Sequence, residues 1–152
     1  SLLCGLSAKV QQLQDYQRAL SQARQALDLS ENLRPAQRIS DYQQLGFIKL
    51  LSAINDPALL SDFMHDHLGC LIERDRKSPW LLMETLETLF QENGNVVRAA
   101  ERLGIHRNTL HQRIQRIEKL TSYAIGHPQF HLNASVALTI WRMSQNHLRE
   151  HL

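Results

Sequence analysis

The chain has 152 residues and a formal net charge of +2, with two cysteines and no long apolar run. A chain of this length buries one sizeable core, or two small ones, without help from a metal or a disulfide. The small net charge excludes a protein that binds nucleic acid over its whole surface, and the absence of a long apolar stretch or a leader-like start argues against membrane insertion and secretion.

The first third of the chain predicts one long helix flanked by two short segments. Residues 2–7 and 38–40 are compatible with strands, although two isolated strands do not form a stable sheet in water. Between them, apolar residues recur every three or four positions over residues 10–33, which predicts an amphipathic helix. Pro35 is expected to end it.

Three shorter helices are predicted next. Residues 45–54 indicate a short apolar helix, and the Asp56-Pro57 pair predicts the start of another over residues 58–67. Gly69 is expected to end that helix, so residues 71–77 are predicted to form a separate one.

The second half of the chain predicts four further helices. Ser78 and Pro79 predict the start of a helix that ends at Asn93-Gly94 and carries a row of leucines. The remaining helices are expected at residues 96–102, 107–121 and 130–149. The predicted fold is therefore all-α and mainly helical, allowing one or two short strands at the N-terminus. We expect two domains, a helical scaffold at residues 1–77 and a helix-turn-helix domain at 78–152.

Positive charge is concentrated in one segment. Residues 95–120 carry a net charge of +4, whereas residues 1–94 carry −3. A basic segment next to an acidic segment of the same chain is typical of a DNA-binding domain joined to a scaffold domain.

The same basic segment has the pattern of a helix-turn-helix. Asn95 is a helix-capping residue, and Ala99 and Ala100 are small enough to allow a second helix to approach closely. Gly104 occurs where a turn between two helices needs an unhindered backbone, and Ile105 is placed to fill the corner.

The helix that follows this turn separates into two faces. Four apolar residues at helical spacing are expected to face inward: Leu110, Ile114, Ile117 and Leu120. Seven polar residues on the rest of this helix, none of them acidic, are our candidate DNA-binding residues: Arg107, Asn108, Thr109, His111, Gln112, Arg113 and Arg116.

These side chains suit the major groove of duplex DNA. Arginine pairs with guanine, asparagine or glutamine with adenine, and threonine meets a thymine methyl group or a phosphate. The first turn of a recognition helix reaches the base edges, so Arg107, Asn108, Thr109 and His111 are expected to read bases, although Thr109 is equally compatible with a helix-start role. Arg113 and Arg116 are expected to neutralise phosphates.

The stretch from Trp80 to Met143 resembles the C-terminal region of the purine-catabolism and sugar-diacid family of bacterial transcription regulators. The likeness is carried by the HRNTL sequence of residues 106–110 and by Arg113, Arg116 and Ile117 within an HRNTLxxRxxRIxxLT pattern. The same segment is more loosely similar to the factor-for-inversion-stimulation family. Gln112 and Ser122 depart from the family pattern, where an aromatic residue and a glycine are frequent.

The resemblance implies what surrounds the motif. The GLS sequence of residues 5–7 and the helix at residues 23–27 resemble, more faintly, the end of the family's middle domain. The chain is thus expected to be the C-terminal part of a longer cytoplasmic regulator, whose small-molecule effector acts through a domain outside this chain. Two-fold operators imply a homodimer on double-stranded DNA.

Other functions have weaker support in the sequence. His65 and His67 are two apart and do not share a helix face, and Cys4 and Cys70 match no metal or redox spacing, so we expect neither a metal nor another cofactor. No catalytic motif is present, so an enzyme is not expected. The alternative that stays open is a helical interaction or dimerisation module whose basic helix binds an acidic partner.

Overall fold

The computed structural model describes residues 3–33, 39–78 and 80–150. These residues confirm a mainly helical fold with two short strands at its N-terminal end. In chain order the elements are β1 (Cys4–Leu6), α1 (Tyr16–Leu33), β2 (Ile39–Asp41), α2 (Ile48–Ser52), α3 (Pro57–Lys77), α4 (Leu82–Gln91), α5 (Val96–Leu103), α6 (Arg107–Thr121) and α7 (Pro128–Glu150).

The contacts divide the chain into two compact units. One unit consists of Ser1–Asn55 and Arg142–Leu152, and the other of Asp56–Trp141. Helix α3 lies in the second unit, where it packs against α4 and α6. The domain boundary expected between residues 77 and 78 stays a prediction.

The first unit is built from a strand pair and the helix between the two strands. Strand β1 pairs with β2 in parallel, with Gly5 opposite Ser40, and α1 packs against both strands. A Cβ at Gly5 would overlap the carbonyl oxygen of Ala23 in α1, so the close approach of strand and helix requires glycine. The helix thus supplies the support that two isolated strands lack.

Several expectations for this unit need correction or lie outside the described residues. The helix expected from residue 10 begins at Tyr16, and Leu13–Asp15 form a short 3-10 turn before it, because Leu13 is almost fully exposed and has no core to join. The helix expected at residues 45–54 is shorter and covers Ile48–Ser52. Residues 2, 35 and 38 lie outside the described residues.

In the second unit, the prediction that Gly69 ends a helix is wrong. Helix α3 continues through it from Pro57 to Lys77, capped by Asp56, whose side chain accepts hydrogen bonds from two backbone N–H groups of the first turn. Leu68 and Leu71, on either side of Gly69, are fully buried. Burying a leucine gives about 1.5–3 kcal/mol, whereas a glycine within a helix costs about 1 kcal/mol, so packing overrides the local preference.

Helix α4 begins at Leu82, later than the start predicted at Ser78 and Pro79. Ser78 instead ends α3, its N–H donating to the carbonyl of Arg74, and residue 79 lies outside the described residues. The preceding residue, Leu81, has a left-handed backbone and gives no side-chain cap. Asp75 of α3 takes over that role, since its carboxylate oxygens accept from the N–H groups of Leu82 (2.8 Å) and Met83 (2.9 Å).

The main core of the second unit lies among α3, α4, α6 and α7. Helix α7 begins at Pro128, in the favoured first helical position, two residues before its predicted start. The core residues form one cluster of buried side chains: Leu68, Leu71, Leu82, Met83, Leu86, Ile117, Phe130, Ala134, Ala137 and Leu138. This cluster holds one face of α6 and leaves the opposite face to solvent.

Candidate nucleic-acid interface

Helix α5 and the turn after it have the geometry that their sequence predicts. The Asn95 side chain accepts a hydrogen bond from the N–H of Arg98 (3.1 Å), which caps the start of the helix. Ala99 and Ala100 are buried together with Leu110 of α6. Because both alanines are small, the two helices approach each other closely.

The turn between α5 and α6 depends on a glycine for its backbone conformation. Gly104 has a φ of 64°, in the left-handed region, and a Cβ placed there would meet no atom within 4 Å. The N–H of Ile105 donates to the carbonyl of Ala100 (3.1 Å), which closes the end of α5, and the Ile105 side chain packs against the buried cluster that contains both alanines. Conformation, rather than space, is therefore what requires a glycine here.

Helix α6 begins with a cap that sequence reasoning missed. The Nδ1 atom of His106 accepts a hydrogen bond from the N–H of Asn108 (3.2 Å). Histidine is not among the residues favoured for capping, so its identity alone gave no signal of this role. Ser122 follows the end of α6 as its C-terminal cap, and its φ of 61° keeps the left-handed conformation for which glycine is best suited.

The inner face of α6 agrees with three of its four predicted members. Leu110 and Ile117 are fully buried and Ile114 is half-buried, whereas Leu120 is exposed. The prediction that Leu120 faces inward is wrong, because the core that covers Ile117 does not extend to the last turn of the helix.

The outer face of α6 carries polar side chains along its full length. Arg107, Asn108, His111 and Gln112 are exposed and Thr109 is half-buried. Gln115 and Lys119, which were not among the predicted residues, are exposed on the same face. Their spacing of three and four from Gln112 and from each other was the available signal.

Arg113 and Arg116 are half-buried and make contacts within the protein. The Nη1 atom of Arg113 donates to the hydroxyl oxygen of Thr85 in α4 (3.1 Å). The guanidinium carbon of Arg116 lies 4.6 Å from the ring centre of Trp80, a cation–π contact. Helix α6 therefore directs Arg113 toward α4 and leaves Arg116 beside an aromatic ring.

Among the described residues, no ion pair neutralises the cations of α6. Ion pairs in this unit join Glu73 to Arg76 and Lys77, and Glu92 to Arg102. Within α6, the carboxylate of Glu118 accepts a hydrogen bond from the N–H of Ile125 (3.0 Å) and so holds the following loop. The positive charge of the helix is thus available to an anionic ligand.

Neither histidines nor cysteines form a metal centre in the described residues. No group of three or more histidine, cysteine or acidic side chains is arranged to hold an ion there. His65 bonds to the carbonyl of Ser61, and His67 lies against the Phe63 ring. Cys4 and Cys70 are free thiols, and burial raises the pKa of Cys70. Within the same described ranges, no helix is long and apolar enough to cross a membrane.

Comparisons with known proteins agree with the geometry of this region. Residues 82–140 match the PucR C-terminal helix-turn-helix domain. The chain is 34% identical over 82 residues to the proline-responsive transcriptional activator PutR of Bacillus subtilis (strain 168), covering 54% of this chain and 20% of that protein. It is 29% identical over 105 residues to the DNA-binding transcriptional activator AdeR of the same strain, covering 69% of this chain and 24% of that protein.

The matched region spans about a fifth to a quarter of the length of those two activators. Among solved structures, the chain is similar to a regulator of polyketide synthase expression from Bifidobacterium adolescentis. That match has a TM-score of 0.49 and 21% identity, and covers 83% of this chain and 50% of the other. The resemblance predicted for residues 80–143 is confirmed over residues 82–140.

Proposed function

We propose that this chain, whose residues 82–140 match the PucR C-terminal helix-turn-helix domain, binds specific sequences of double-stranded DNA as part of a bacterial transcription regulator. In this proposal α6 is the recognition helix and enters the major groove. Both relatives are described as transcriptional activators, which supports regulation of transcription and gives no support to an enzyme.

The observation that carries the proposal is the outer face of α6. It exposes Asn108, Gln112 and Gln115, whose amides are suited to adenine, with Arg107 and His111 along one side. An α-helix with its side chains is about 10–12 Å in diameter, which matches the major-groove width of about 12 Å. Direct reading of bases by its first two turns is therefore sterically reasonable.

The remaining cations of the motif fit contacts to the DNA backbone. Arg98 on α5 and Lys119 on α6 are exposed and unpaired within the described residues. Contacts of this kind strengthen binding to every sequence and weaken as salt is added, because each one releases condensed counterions. We assign them to positioning and assign sequence choice to the first two turns of the outer face of α6.

The wider setting is also part of the proposal. The regulator acts in the cytoplasm as a homodimer on a two-fold operator, and its small-molecule effector binds to a domain outside this chain. No cofactor is required for the DNA contact itself.

Fluorescence anisotropy of a labelled duplex at two salt concentrations tests DNA binding. The wild-type chain is compared with the double variant Arg107→Gln, Gln112→Ala, and with Arg24→Gln on α1 as a control that removes an exposed arginine from the first unit. We expect salt-dependent binding that the double variant loses and the control keeps, with equal helicity by circular dichroism.

Equal binding by the double variant and the control would overturn the proposal. Failure of the wild type to bind any duplex at low salt, together with capture of an acidic partner by the basic helix, would favour the interaction-module alternative instead.

A further inference from the structure

A groove lined by positive charge lies beside the recognition helix, between the last turns of α3 and the second half of α6. Its volume is about 540 Å³. The side chains that line it and enter the argument are Arg74, Trp80, Gln112, Gln115, Arg116 and Lys119. We name it the Arg74 groove. Two of its members, Gln112 and Gln115, also belong to the outer face of α6.

The cations of the Arg74 groove differ from those nearby in forming no ion pair with an acidic side chain of the described residues. Arg76 and Lys77, on the same turns of α3, both form ion pairs with Glu73. In the described part of the chain, none of the ion pairs includes Arg74, Arg116 or Lys119. Three uncompensated charges around one groove favour an anion with several acceptor oxygens.

Arg74 adds a second, independent observation. Its Nε atom is shielded from solvent and has no hydrogen-bond partner among the described residues. A buried donor without a partner is costly, and the guanidinium fork is shaped to give two parallel hydrogen bonds to a phosphate. Arg74 is half-buried and lines the groove, so the terminal N–H groups of its guanidinium, rather than the shielded Nε, are the donors that a phosphate oxygen would meet.

Trp80 holds the neighbouring cation in place without cancelling its charge. The Trp80 ring packs against the main core and lies 4.6 Å from the guanidinium carbon of Arg116. A cation–π contact restricts the guanidinium but leaves its N–H groups free to donate to an anion. Arg116 is therefore preorganised, so less conformational entropy is lost when it binds.

We propose that the Arg74 groove binds a phosphate of the DNA backbone that flanks the bases read by α6. The inference rests on the proposed DNA binding and extends the DNA contact from the helix-turn-helix to the end of α3. The groove shares Gln112 and Gln115 with the outer face of α6, and this supports the assignment. A duplex bound to that face would bring one DNA strand alongside these two residues. Arg74 becomes a DNA-positioning residue that the motif itself does not include.

The salt dependence of duplex binding tests this assignment. Arg74→Gln is compared with Arg76→Gln, which removes the same charge two residues away on the exposed side of α3. One lost phosphate contact makes the negative slope of log K against log salt shallower by about 0.9, which corresponds to about eightfold weaker binding at about 0.1 M salt. We expect that change for Arg74→Gln and little change for Arg76→Gln.

Lys119→Gln provides a second variant that does not depend on a buried side chain. Lys119 is exposed, so its replacement leaves folding intact, and we expect a similar loss of slope. Thermal unfolding of every variant shows whether a lost contact or a lost fold causes the change. Equal slopes for Arg74→Gln, Lys119→Gln and Arg76→Gln would overturn the groove assignment.

Titration with inorganic pyrophosphate separates a DNA phosphate from a free one. If pyrophosphate binds tightly through Arg74 while Arg74→Gln leaves the DNA slope unchanged, the groove holds a free anion and the assignment fails. The two proposals also fail in different ways. If the wild type binds no duplex, the proposed function is rejected. If the wild type binds but Arg74→Gln and Arg76→Gln have the same salt slope, only the groove assignment is rejected.

Discussion

Arg113 of α6 donates a hydrogen bond of 3.1 Å to the hydroxyl oxygen of Thr85 in α4. Thr85 is fully buried, and its own hydroxyl donates to the carbonyl of Leu81 at the start of α4. This short chain of hydrogen bonds ties the recognition helix to the helix that supports it. Arg113 therefore has a structural partner in addition to the phosphate contact predicted for it.

Replacing Thr85 with valine is expected to destabilise the protein by about 1–2 kcal/mol, because the Arg113 donor loses its acceptor. Urea denaturation measures the effect. Thr88→Val is the matched control, since Thr88 is also buried on α4 and its hydroxyl donates to the carbonyl of Glu84 without an arginine. In a cycle with Arg113→Met, we expect coupling for Thr85 and none for Thr88. Additive effects at Thr85 would contradict the stated role of the contact.

Asp75 is expected to stabilise the start of α4 from outside that helix. Asp75→Ala leaves the N–H groups of Leu82 and Met83 without their acceptor, which should lower the free energy of unfolding by about 1–2 kcal/mol. Asp66→Ala, an exposed position on the same helix α3, is the control and is expected to have little effect. A comparable loss in both variants would show that the carboxylate does not act as a cap.

Gly104→Ala is expected to cost about 1–2 kcal/mol, because alanine is strained in the left-handed conformation of this turn. A Cβ at residue 104 would meet no neighbour within 4 Å, so the cost is conformational and not steric. Gly126 is equally open but does not have a positive φ in that range, so Gly126→Ala serves as the control. Chemical denaturation of the two variants should show a loss for Gly104 alone, and a neutral Gly104→Ala would mean that the turn adopts another conformation.

Asn108→Ala is expected to change base preference at one position of the DNA site, by about 1–3 kcal/mol. Selection of binding sites from a random duplex library, with wild type and variant in parallel, measures the preference. Arg116→Gln is the comparison, since a cation beside Trp80 is expected to weaken all duplexes alike and to flatten the salt dependence. If both variants weaken every sequence equally, Asn108 does not read a base.

The helix-turn-helix itself was predictable because its signals are local. Asn95 caps α5, Gly104 takes the left-handed turn and Leu110 faces the core, and each of these roles follows from residue type and spacing within a few positions. The polar outer face of α6 was read from the same periodicity. Gln115 and Lys119 lie on that face too, and extending the spacing by one turn would have found them.

The sequence alone could not determine contacts between residues that are far apart in the chain. Arg113 finds Thr85 across 28 positions, and Arg116 finds Trp80 on the segment before α4. Gly69 reads as a helix end in isolation, but burial of Leu68 and Leu71 outweighs its local cost. Sequence by itself thus determined the helix-turn-helix, through short-range backbone preferences and helical spacing. Only the tertiary structure decided which cations contact another side chain and which are left without an ion pair among the described residues. The energies of those contacts depend on packing between distant helices.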